Sequence, residues 1–447
     1  MQLSRYTALA DLVQAEISAG RLRPGDRLPT QREFAQAHGI ATSTAIRAYA
    51  ELVRRGLVAG EVGRGTFVRT SPPSGVTLAA GIGDRVNLAV NIPLLPTQAA
   101  LLSASAAHTT RRARVVGAAM ETVVPQGTAM ARRTVASLVA RKRWHASPDN
   151  LLFTGNGRQA LAAVLAAVVP PGQRLGVEAL SYQSVVGIAA RLGIEVVPLP
   201  MDAYGLRPDG LARAHERHAL RAVYLQPTLH NPLGITMPLR RRVEIVRTLG
   251  ALDLTGIEDH VCAFLADDGS PLAALAPDRV VLLDSLSKRV APGLTLGWVW
   301  APTRVLAAIA EAIRAAALVP SGLALELSVR WIADGTVARL VRDKRRDATR
   351  RQAVLQRTCH GLTIQADPRA YHAWLVLPEP WRAESFTAAS AERGIAVAPA
   401  TAFAVGTGHA PNAVRLALAS PSTKVLAESL RSLRALALSA PQSVSLE

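Results

Sequence analysis

The chain has 447 residues, 49% of them hydrophobic and 19% charged, which excludes a disordered protein and leaves room for two or three domains. The formal net charge of +18 points to a polyanionic partner, although net charge alone does not define a function. The longest apolar stretches are about ten residues, too short to span a bilayer, and the N-terminus lacks a signal-peptide pattern. The two cysteines, Cys262 and Cys359, form no disulfide framework, so we expect a cytoplasmic protein with no membrane partner.

The first seventy residues carry the pattern of three short helices followed by a hairpin. Gly20 ends the first helical pattern, and Thr30 is placed to cap the second. The predicted elements are helices over 6–19, about 30–37 and about 42–54, and hairpin strands around 57–58 and 67–68. With an arginine at the tip of the hairpin, this order predicts a winged helix-turn-helix domain over residues 1–70.

Several residues of this domain are placed to contact double-stranded operator DNA. The third helix of such a domain enters the major groove with its N-terminal residues near base edges, and an arginine on the wing reaches phosphates or the minor groove. The alternative for any one of these side chains is an ordinary place on a helix surface. The candidate DNA-binding residues are Arg32, Thr42, Ser43, Thr44, Arg47 and Arg64.

Three segments of this domain resemble the GntR family of transcriptional regulators. They are Gly25-Asp26-Arg27-Leu28-Pro29-Thr30-Gln31-Arg32-Glu33, Arg47-Ala48-Tyr49-Ala50-Glu51-Leu52 and Gly63-Arg64-Gly65-Thr66-Phe67-Val68. One departure is Thr42, where many members carry an arginine, so the resemblance implies DNA binding but transfers no base preference.

Residues 71–85 are poor in packing side chains and predict a linker. From about residue 150, short apolar runs alternate with helical segments, which predicts an α/β domain with a mostly parallel sheet covered by helices. The candidate strands are 150–153, 174–178, 194–199, 221–225, 254–258 and 279–283. We assign 86–447 to this domain, with a large subdomain at about 150–300 and a smaller α+β subdomain at about 310–440.

A single lysine, Lys288, follows the last of these strands, close behind the hydroxyls of Ser285 and Ser287. Of the 51 Lys and Arg residues only four are lysines: Lys142, Lys288, Lys344 and Lys424. Lysine can lose its proton when desolvated and form a Schiff base, which arginine cannot do. The alternative is a surface lysine after a strand, and the other strand ends decide between the two.

Those strand ends carry residues suited to a flat, phosphorylated cofactor. The turn at Asn156, Gly157 and Arg158 lets backbone N–H groups approach an anion at a helix N-terminus. Tyr182 can stack on a ring, although core packing explains a lone aromatic equally well. Parallel sheets bind ligands beyond the carboxyl ends of their strands, where all these residues fall.

Two further residues complete the set. Asn231 is presented from a proline-held turn, and Asp259 ends the next strand. A carboxylate placed there can keep a pyridinium nitrogen protonated, which is the electronic requirement of pyridoxal 5'-phosphate (PLP).

This order of residues resembles the fold-type I aminotransferases, and with the N-terminal domain it resembles the MocR-like subfamily of GntR regulators. The resemblance implies that Lys288 binds PLP as an internal aldimine. It also implies that Asp259 pairs with the pyridine nitrogen and that Asn231 lies near the ring hydroxyl. The implied phosphate turn and stacking ring are Asn156, Gly157, Arg158 and Tyr182.

The resemblance implies two more features. Arg415, in Val414-Arg415-Leu416, matches the arginine that holds the carboxylate of a substrate or amino-acid-like effector, a task that suits a bidentate guanidinium. Fold-type I domains form homodimers with a shared active site, and whether this dimer is domain-swapped stays open.

The chain departs from the family pattern at three places. Thr295 stands where the family usually has an arginine on the cofactor phosphate, and it supplies a hydrogen bond without a charge. The stretch where a tyrosine is expected after the aspartate reads His260, Val261 and Cys262. The segment 122–127, which in the family usually contributes a tyrosine from the partner subunit, contains none. Each loss costs about 1–3 kcal/mol of cofactor affinity. Arg158 or Arg289 is a candidate to compensate.

We therefore expect a transcriptional regulator that senses PLP or an amino-group effector, with transaminase activity weak or absent. Two alternatives stay open. In the first alternative, the chain is an active aminotransferase with a DNA-binding appendage. In the second, it is a regulator whose C-terminal domain has lost PLP and serves dimerisation or binds another ligand. No metal site is expected.

Overall fold

The computed structural model describes residues 5–18, 21–22, 26–55, 57–61, 65–68, 85–141, 144–266, 269–406 and 410–439. Apart from Arg85, the predicted linker lies outside the described residues, as does Arg64. The chain forms two compact units. The first unit comprises Met1–Val90, Val354–Gln365 and Ala373–Glu447, and the second comprises Asn91–Ala353 and Ala366–His372.

The N-terminal part of the first unit confirms the winged helix-turn-helix. Its elements are α1 (Arg5–Ser18), β1 (Arg27–Leu28), α2 (Gln31–Ala37), α3 (Thr42–Arg54), β2 (Val58–Glu61) and β3 (Gly65–Val68). The three strands form an antiparallel sheet in the order β1-β3-β2.

Local hydrogen bonds explain where α2 begins. The Thr30 side chain accepts from the Glu33 N–H at 3.2 Å, and the Glu33 carboxylate accepts from the Thr30 N–H at 2.7 Å. This capping box satisfies two donors at the start of α2. Tyr49 on α3 is buried, and its hydroxyl donates to the Pro29 carbonyl at 2.6 Å, which ties α3 to the segment before α2.

The remainder of the first unit is a small α+β arrangement. Its elements are β4 (Val86–Asn87), β14 (Thr363–Gln365), β15 (His372–Val376), α15 (Ala383–Glu392), β16 (Ile395–Ala396), β17 (Ala398–Pro399), β18 (Ala413–Ala417) and α16 (Thr423–Leu438). A four-stranded sheet has the order β14-β15-β18-β17, and β4 pairs with β16.

The second unit is an α/β structure built on a seven-stranded sheet. Its helices are α4 (Gln98–Thr110), α5 (Ala113–Ala119), α6 (Ala129–Val139), α7 (Gly157–Val168), α8 (Gln183–Arg191), α9 (Pro208–His218), α10 (Leu239–Ala251), α11 (Leu272–Leu275), α12 (Thr303–Ala315), α13 (Gly322–Ala333) and α14 (Thr336–Thr358), the last five residues of which belong to the first unit. Its strands are β5 (Leu151–Thr154), β6 (Arg174–Glu178), β7 (Glu195–Leu199), β8 (Met201–Asp202), β9 (Gly205–Leu206), β10 (Ala222–Leu225), β11 (Thr255–Asp259), β12 (Val280–Ser285) and β13 (Gly297–Trp300).

The large sheet has the order β5-β13-β12-β11-β10-β6-β7. The run from β12 to β7 is parallel, whereas β13 is antiparallel to both β12 and β5. The six predicted strands and the mostly parallel sheet are confirmed, and β13 is a strand that the sequence pattern did not predict. The second unit covers more of the chain, at both ends, than the large subdomain predicted at about 150–300. The predicted subdomain boundaries stay a prediction.

Two general features concern only the described residues. No helix among them combines the length and the apolar character needed to cross a bilayer. They also contain no group of three or more His, Cys, Asp and Glu side chains arranged to hold a metal ion.

Candidate functional site

Lys288 lies just beyond the buried strand β12, in a loop held by other side chains. Its ammonium donates to the Asn91 carbonyl at 2.6 Å. The carbonyls of Lys288 and Val290 both accept from the Lys344 ammonium, at 2.9 and 2.8 Å. The Gln98 amide also donates to the Val290 carbonyl at 2.8 Å. The loop that carries Lys288 is thus fixed from two helices, α4 and α14.

Lys344 is a functional candidate that sequence reasoning noted only as one of four lysines. Its side chain is fully buried on α14. Burial, with a smaller contribution from the charge of Lys288, lowers the pKa of Lys344 to about 7. The Lys344 amine donates to the backbone of the Lys288 loop and so anchors it. Its positive charge is fully present only below a pH of about 7.

Three hydroxyls form a connected chain next to Lys288. The Ser285 hydroxyl donates to that of Ser287 at 3.0 Å, and the Ser287 and Thr295 hydroxyls lie 2.9 Å apart. The first residue of α7, Gly157, packs so closely that a Cβ there would lie 3.2 Å from the Ser285 hydroxyl oxygen. A helix N-terminus beside several hydroxyls suits a phosphate dianion. The structure thus brings Gly157, Ser285, Ser287 and Thr295 together.

Asn156 has a structural task in this turn. Its side-chain oxygen caps α7 by accepting from the N–H groups of Arg158 and Gln159, both at 3.0 Å. The Arg158 N–H, which was predicted to approach an anion, is therefore already satisfied. The Arg158 guanidinium donates to the Tyr182 hydroxyl at 2.9 Å, so these two predicted residues are also neighbours.

Close packing of β13 against this turn leads to a prediction for Gly297→Ala. A Cβ at Gly297 would lie 2.4 Å from backbone atoms of Asn156 and 2.5 Å from the Thr154 hydroxyl oxygen. Because the obstacle is mainly backbone, we expect the free energy of unfolding to fall by about 1–3 kcal/mol, measured by urea denaturation.

The matched control is Gly187→Ala, at a helical position on α8 with no atom within 4 Å of the added Cβ. That variant should be unchanged or slightly more stable, because alanine has the higher helix propensity. Equal stability of the two alanine variants would contradict this prediction, because it would show that the backbone at Asn156 shifts to accommodate the added Cβ at little cost.

Asp259 ends β11, next to β12 in the sheet, with Asp259 paired in register with Leu283. One carboxylate oxygen accepts from the Tyr224 hydroxyl at 2.6 Å, and the other accepts from the Val261 N–H at 3.0 Å. Burial raises the pKa of Asp259, and the hydrogen bond from Tyr224 opposes that rise. The structure therefore holds a carboxylate at the strand end where the sequence pattern predicted one.

Gln226 connects Asp259 to Asn231. Its side-chain oxygen accepts from the Asn231 N–H at 2.9 Å, and its amide nitrogen donates to the Tyr224 hydroxyl at 2.9 Å. Sequence reasoning missed Tyr224 and Gln226, although both lie at the end of the strand that leads to Asn231. Their position at a strand end was the available signal.

Arg289 does not replace the missing phosphate arginine. Its guanidinium donates to both carboxylate oxygens of Asp284, and both side chains are buried. It also lies over the rings of Phe264 and Trp298, at 5.2 and 5.6 Å from their centres. The suggestion that Arg289 compensates for Thr295 is thus corrected, because this guanidinium is engaged elsewhere. Arg158 keeps its place beside the turn.

Arg415 lies in the other compact unit, on β18. Its side chain is buried, donates to the Ala89 carbonyl and lies over the Phe403 ring, 4.9 Å from its centre. A guanidinium held by a carbonyl and a ring is well fixed in orientation. Its role toward a carboxylate stays a prediction.

The winged helix-turn-helix presents most of the predicted DNA-binding residues to solvent. Arg32, Thr42, Ser43 and Arg47 are exposed and Thr44 is half-buried, whereas Arg64 lies outside the described residues. Ile46 is also exposed on α3, beside Arg47. An exposed aliphatic residue on such a helix is chemically suited to the methyl group of thymine, and sequence reasoning did not single out Ile46.

Comparison with known proteins gives two family matches that together cover most of the chain. Residues 83–433 match the family "Aminotransferase class I and II", and residues 5–68 match "Bacterial regulatory proteins, gntR family". The gap between the two matches, residues 69–82, overlaps most of the predicted linker.

Individual proteins show the same two-part organisation or the fold of its larger part. The chain is 29% identical to the uncharacterized HTH-type transcriptional regulator YdeF of Bacillus subtilis, over 94% of this chain and 91% of YdeF. It is 28% identical to the HTH-type pyridoxine biosynthesis transcriptional regulator PdxR of Corynebacterium glutamicum, covering 90% of this chain and 89% of PdxR. The crystal structure of LysN, the alpha-aminoadipate aminotransferase of Thermus thermophilus, superposes with a TM-score of 0.70 and 24% identity, covering 79% of this chain and 92% of LysN.

Proposed function

We propose a sensing function on the following premise: the chain belongs to the aminotransferase class I and II family, carries a GntR-family domain, and is a DNA-binding transcriptional regulator of the MocR-like architecture. Its winged helix-turn-helix binds operator DNA. Its aminotransferase-like domain binds PLP, and an amino-group effector exchanges with Lys288.

The residues around Lys288 fit PLP on their own chemistry. Lys288 supplies the amine, Asp259 the carboxylate for a ring nitrogen, and the Ser285-Ser287-Thr295 hydroxyls with the start of α7 the donors for a phosphate. Bound PLP supplies an aldehyde that condenses with amines and a ring that withdraws electrons. The observation that carries the proposal is the meeting of these three donor sets at adjacent strand ends.

A sensing role is favoured over catalysis by the residues that the site lacks. Thr295 brings a hydroxyl and no charge to the phosphate region, and Arg289 is paired with Asp284. Cys262 lies in the stretch where the family has a tyrosine near the aspartate, and burial raises the pKa of its thiol to about 11, so this group stays neutral. The domain retains the groups that grip a cofactor and has lost several that tune transamination.

The effector acts on DNA binding only through a difference in its affinity for two arrangements of the protein. We further propose a homodimer, which presents two winged helix-turn-helix domains to two half-sites. Arg415 is the proposed ligand of an effector carboxylate.

An amino-transfer assay separates the sensor from an enzyme. The PLP-loaded protein is incubated with a series of amino acids and a keto acid, and products are counted per protein chain. We expect at most one amino group transferred per chain, because the chain lacks the arginine and the tyrosines that the family pattern carries around the cofactor. Many turnovers per chain would instead establish an aminotransferase with a DNA-binding appendage.

A further inference from the structure

Tyr224 and Gln226 form a buried polar pair that the proposed function does not use. Tyr224 is fully buried on β10, and Gln226 follows the end of that strand with almost no exposure. Neither side chain is among those expected to touch PLP. Burying a phenol and a carboxylate is costly unless both are hydrogen-bonded, and here they are bonded to each other.

The direction of each hydrogen bond in this pair is determined by its neighbours. The Asn231 backbone N–H can only donate, so the Gln226 atom at 2.9 Å from it is the oxygen. The Gln226 amide nitrogen therefore faces the Tyr224 hydroxyl, 2.9 Å away, and donates to it. The remaining hydroxyl hydrogen of Tyr224 then points at Asp259, 2.6 Å away.

The Tyr224 hydroxyl keeps its proton, and can therefore donate a hydrogen bond, across the ordinary pH range. Burial, together with the nearby charge of Asp259, raises the pKa of Tyr224 well above its usual value. Other titratable groups near Asp259 are Asp284, which raises its pKa, and His260, which lowers it. Lys288 and Cys262 belong to the same neighbourhood, since both Lys288 and Asp259 act on the Cys262 thiol.

We propose that Tyr224, oriented by Gln226, is a positioning residue that sets how strongly Asp259 keeps the ring nitrogen of PLP protonated. A hydrogen bond donated to a carboxylate favours its ionised form. The proton shared between Asp259 and the ring then stays on the ring, which withdraws electrons more strongly. Through Gln226 the same hydrogen-bonded chain reaches Asn231. It therefore holds both Asp259, proposed to face the ring nitrogen, and Asn231, proposed to lie near the ring hydroxyl. This inference rests on the proposed function.

The test is the pH dependence of the visible absorption band of the PLP-loaded, full-length protein. In Tyr224→Phe the shared proton moves toward Asp259, the ring withdraws fewer electrons, and the nitrogen joined to Lys288 binds its proton more tightly. We expect the midpoint of the spectral transition to rise by roughly 0.5–1 pH unit. Gln226→Met removes the donor to Tyr224 and the weaker 3.5 Å hydrogen bond from Gln226 to Asp259, and should shift the midpoint in the same direction by less.

The control is Tyr204→Phe, which changes a tyrosine that is exposed in the same unit and should leave the midpoint unchanged. A midpoint unchanged in both Tyr224→Phe and Gln226→Met, with the band present, would overturn this inference alone. A wild-type protein without the band would remove the proposed function and this inference with it. If Tyr224→Phe fails to fold, Gln226→Met decides the matter by the same criterion.

Discussion

Replacing Arg289 by alanine is expected to lower the free energy of unfolding by about 3–5 kcal/mol, because it leaves Asp284 as a buried carboxylate without its cation. Both side chains are almost fully buried, and the guanidinium makes two hydrogen bonds to the carboxylate. His260 lies 3.6 Å from Asp284 and is too distant to replace them. The rings of Phe264 and Trp298 lose a packed cation as well.

Acidification gives the Arg289 prediction a second signature. Burial acts to raise the pKa of Asp284, but the Arg289 and His260 charges outweigh it and hold that pKa below the usual value. A carboxylate with a lowered folded-state pKa adds stability above its unfolded pKa, about 4, and this stability is lost as the pH falls through the folded value. The deficit of Arg289→Ala should therefore be largest at neutral pH and shrink in acid.

Urea denaturation at several pH values measures both effects, with Arg240→Ala as the control. Arg240 forms an exposed ion pair with Glu244 on α10, so its loss should cost at most about 1 kcal/mol. A similar small loss in Arg289→Ala would contradict the assignment of a buried pair that supports the Lys288 loop.

Replacing both Arg32 and Arg47 by alanine is expected to weaken DNA binding by about 10²–10⁴-fold, since each arginine bound to a base or a phosphate contributes about 1–3 kcal/mol. Arg47 lies near the start of the exposed face of α3, and Arg32 lies in the first turn of α2. The slope of log affinity against log salt concentration should also fall by about one for each phosphate that the variant no longer neutralises.

The probe for that measurement is a duplex selected from a random pool by the wild-type protein. The matched control is the double variant Arg357→Ala and Arg431→Ala, which removes two exposed arginines of the C-terminal subdomain and changes the net charge equally. Equal weakening in both double variants would mean that DNA responds to overall charge, and α3 would lose its assignment as the recognition helix.

Much of the fold could be predicted because local patterns and tertiary structure agree. The third helix was expected over about 42–54 and is Thr42–Arg54, since its apolar face and its ends carry clear signals. The strand β13 was missed because four residues with two tryptophans show no alternation when both faces are buried. Its antiparallel direction depends on its neighbours and has no local signature.

The site was predictable where it followed strand ends and unpredictable where it depended on distant contacts. Lys288 and Asp259 were found because parallel strands bring their carboxyl ends together. Lys344 was missed because it lies in one of the most charged helices, where a lysine predicts exposure. Arg289 was given the wrong partner because only the fold shows that Asp284, five residues away, receives its guanidinium.

The covalent role of Lys288 is tested most directly by adding PLP to the purified protein, reducing the mixture with borohydride and measuring the masses of its proteolytic peptides by mass spectrometry. We predict a visible absorption band that disappears on reduction, with the mass of one reduced cofactor added to the peptide that contains Lys288. Lys288→Ala should show neither, while remaining folded and able to bind DNA. An unlabelled Lys288 peptide after treatment with excess PLP, or the same label retained in Lys288→Ala, would contradict the account.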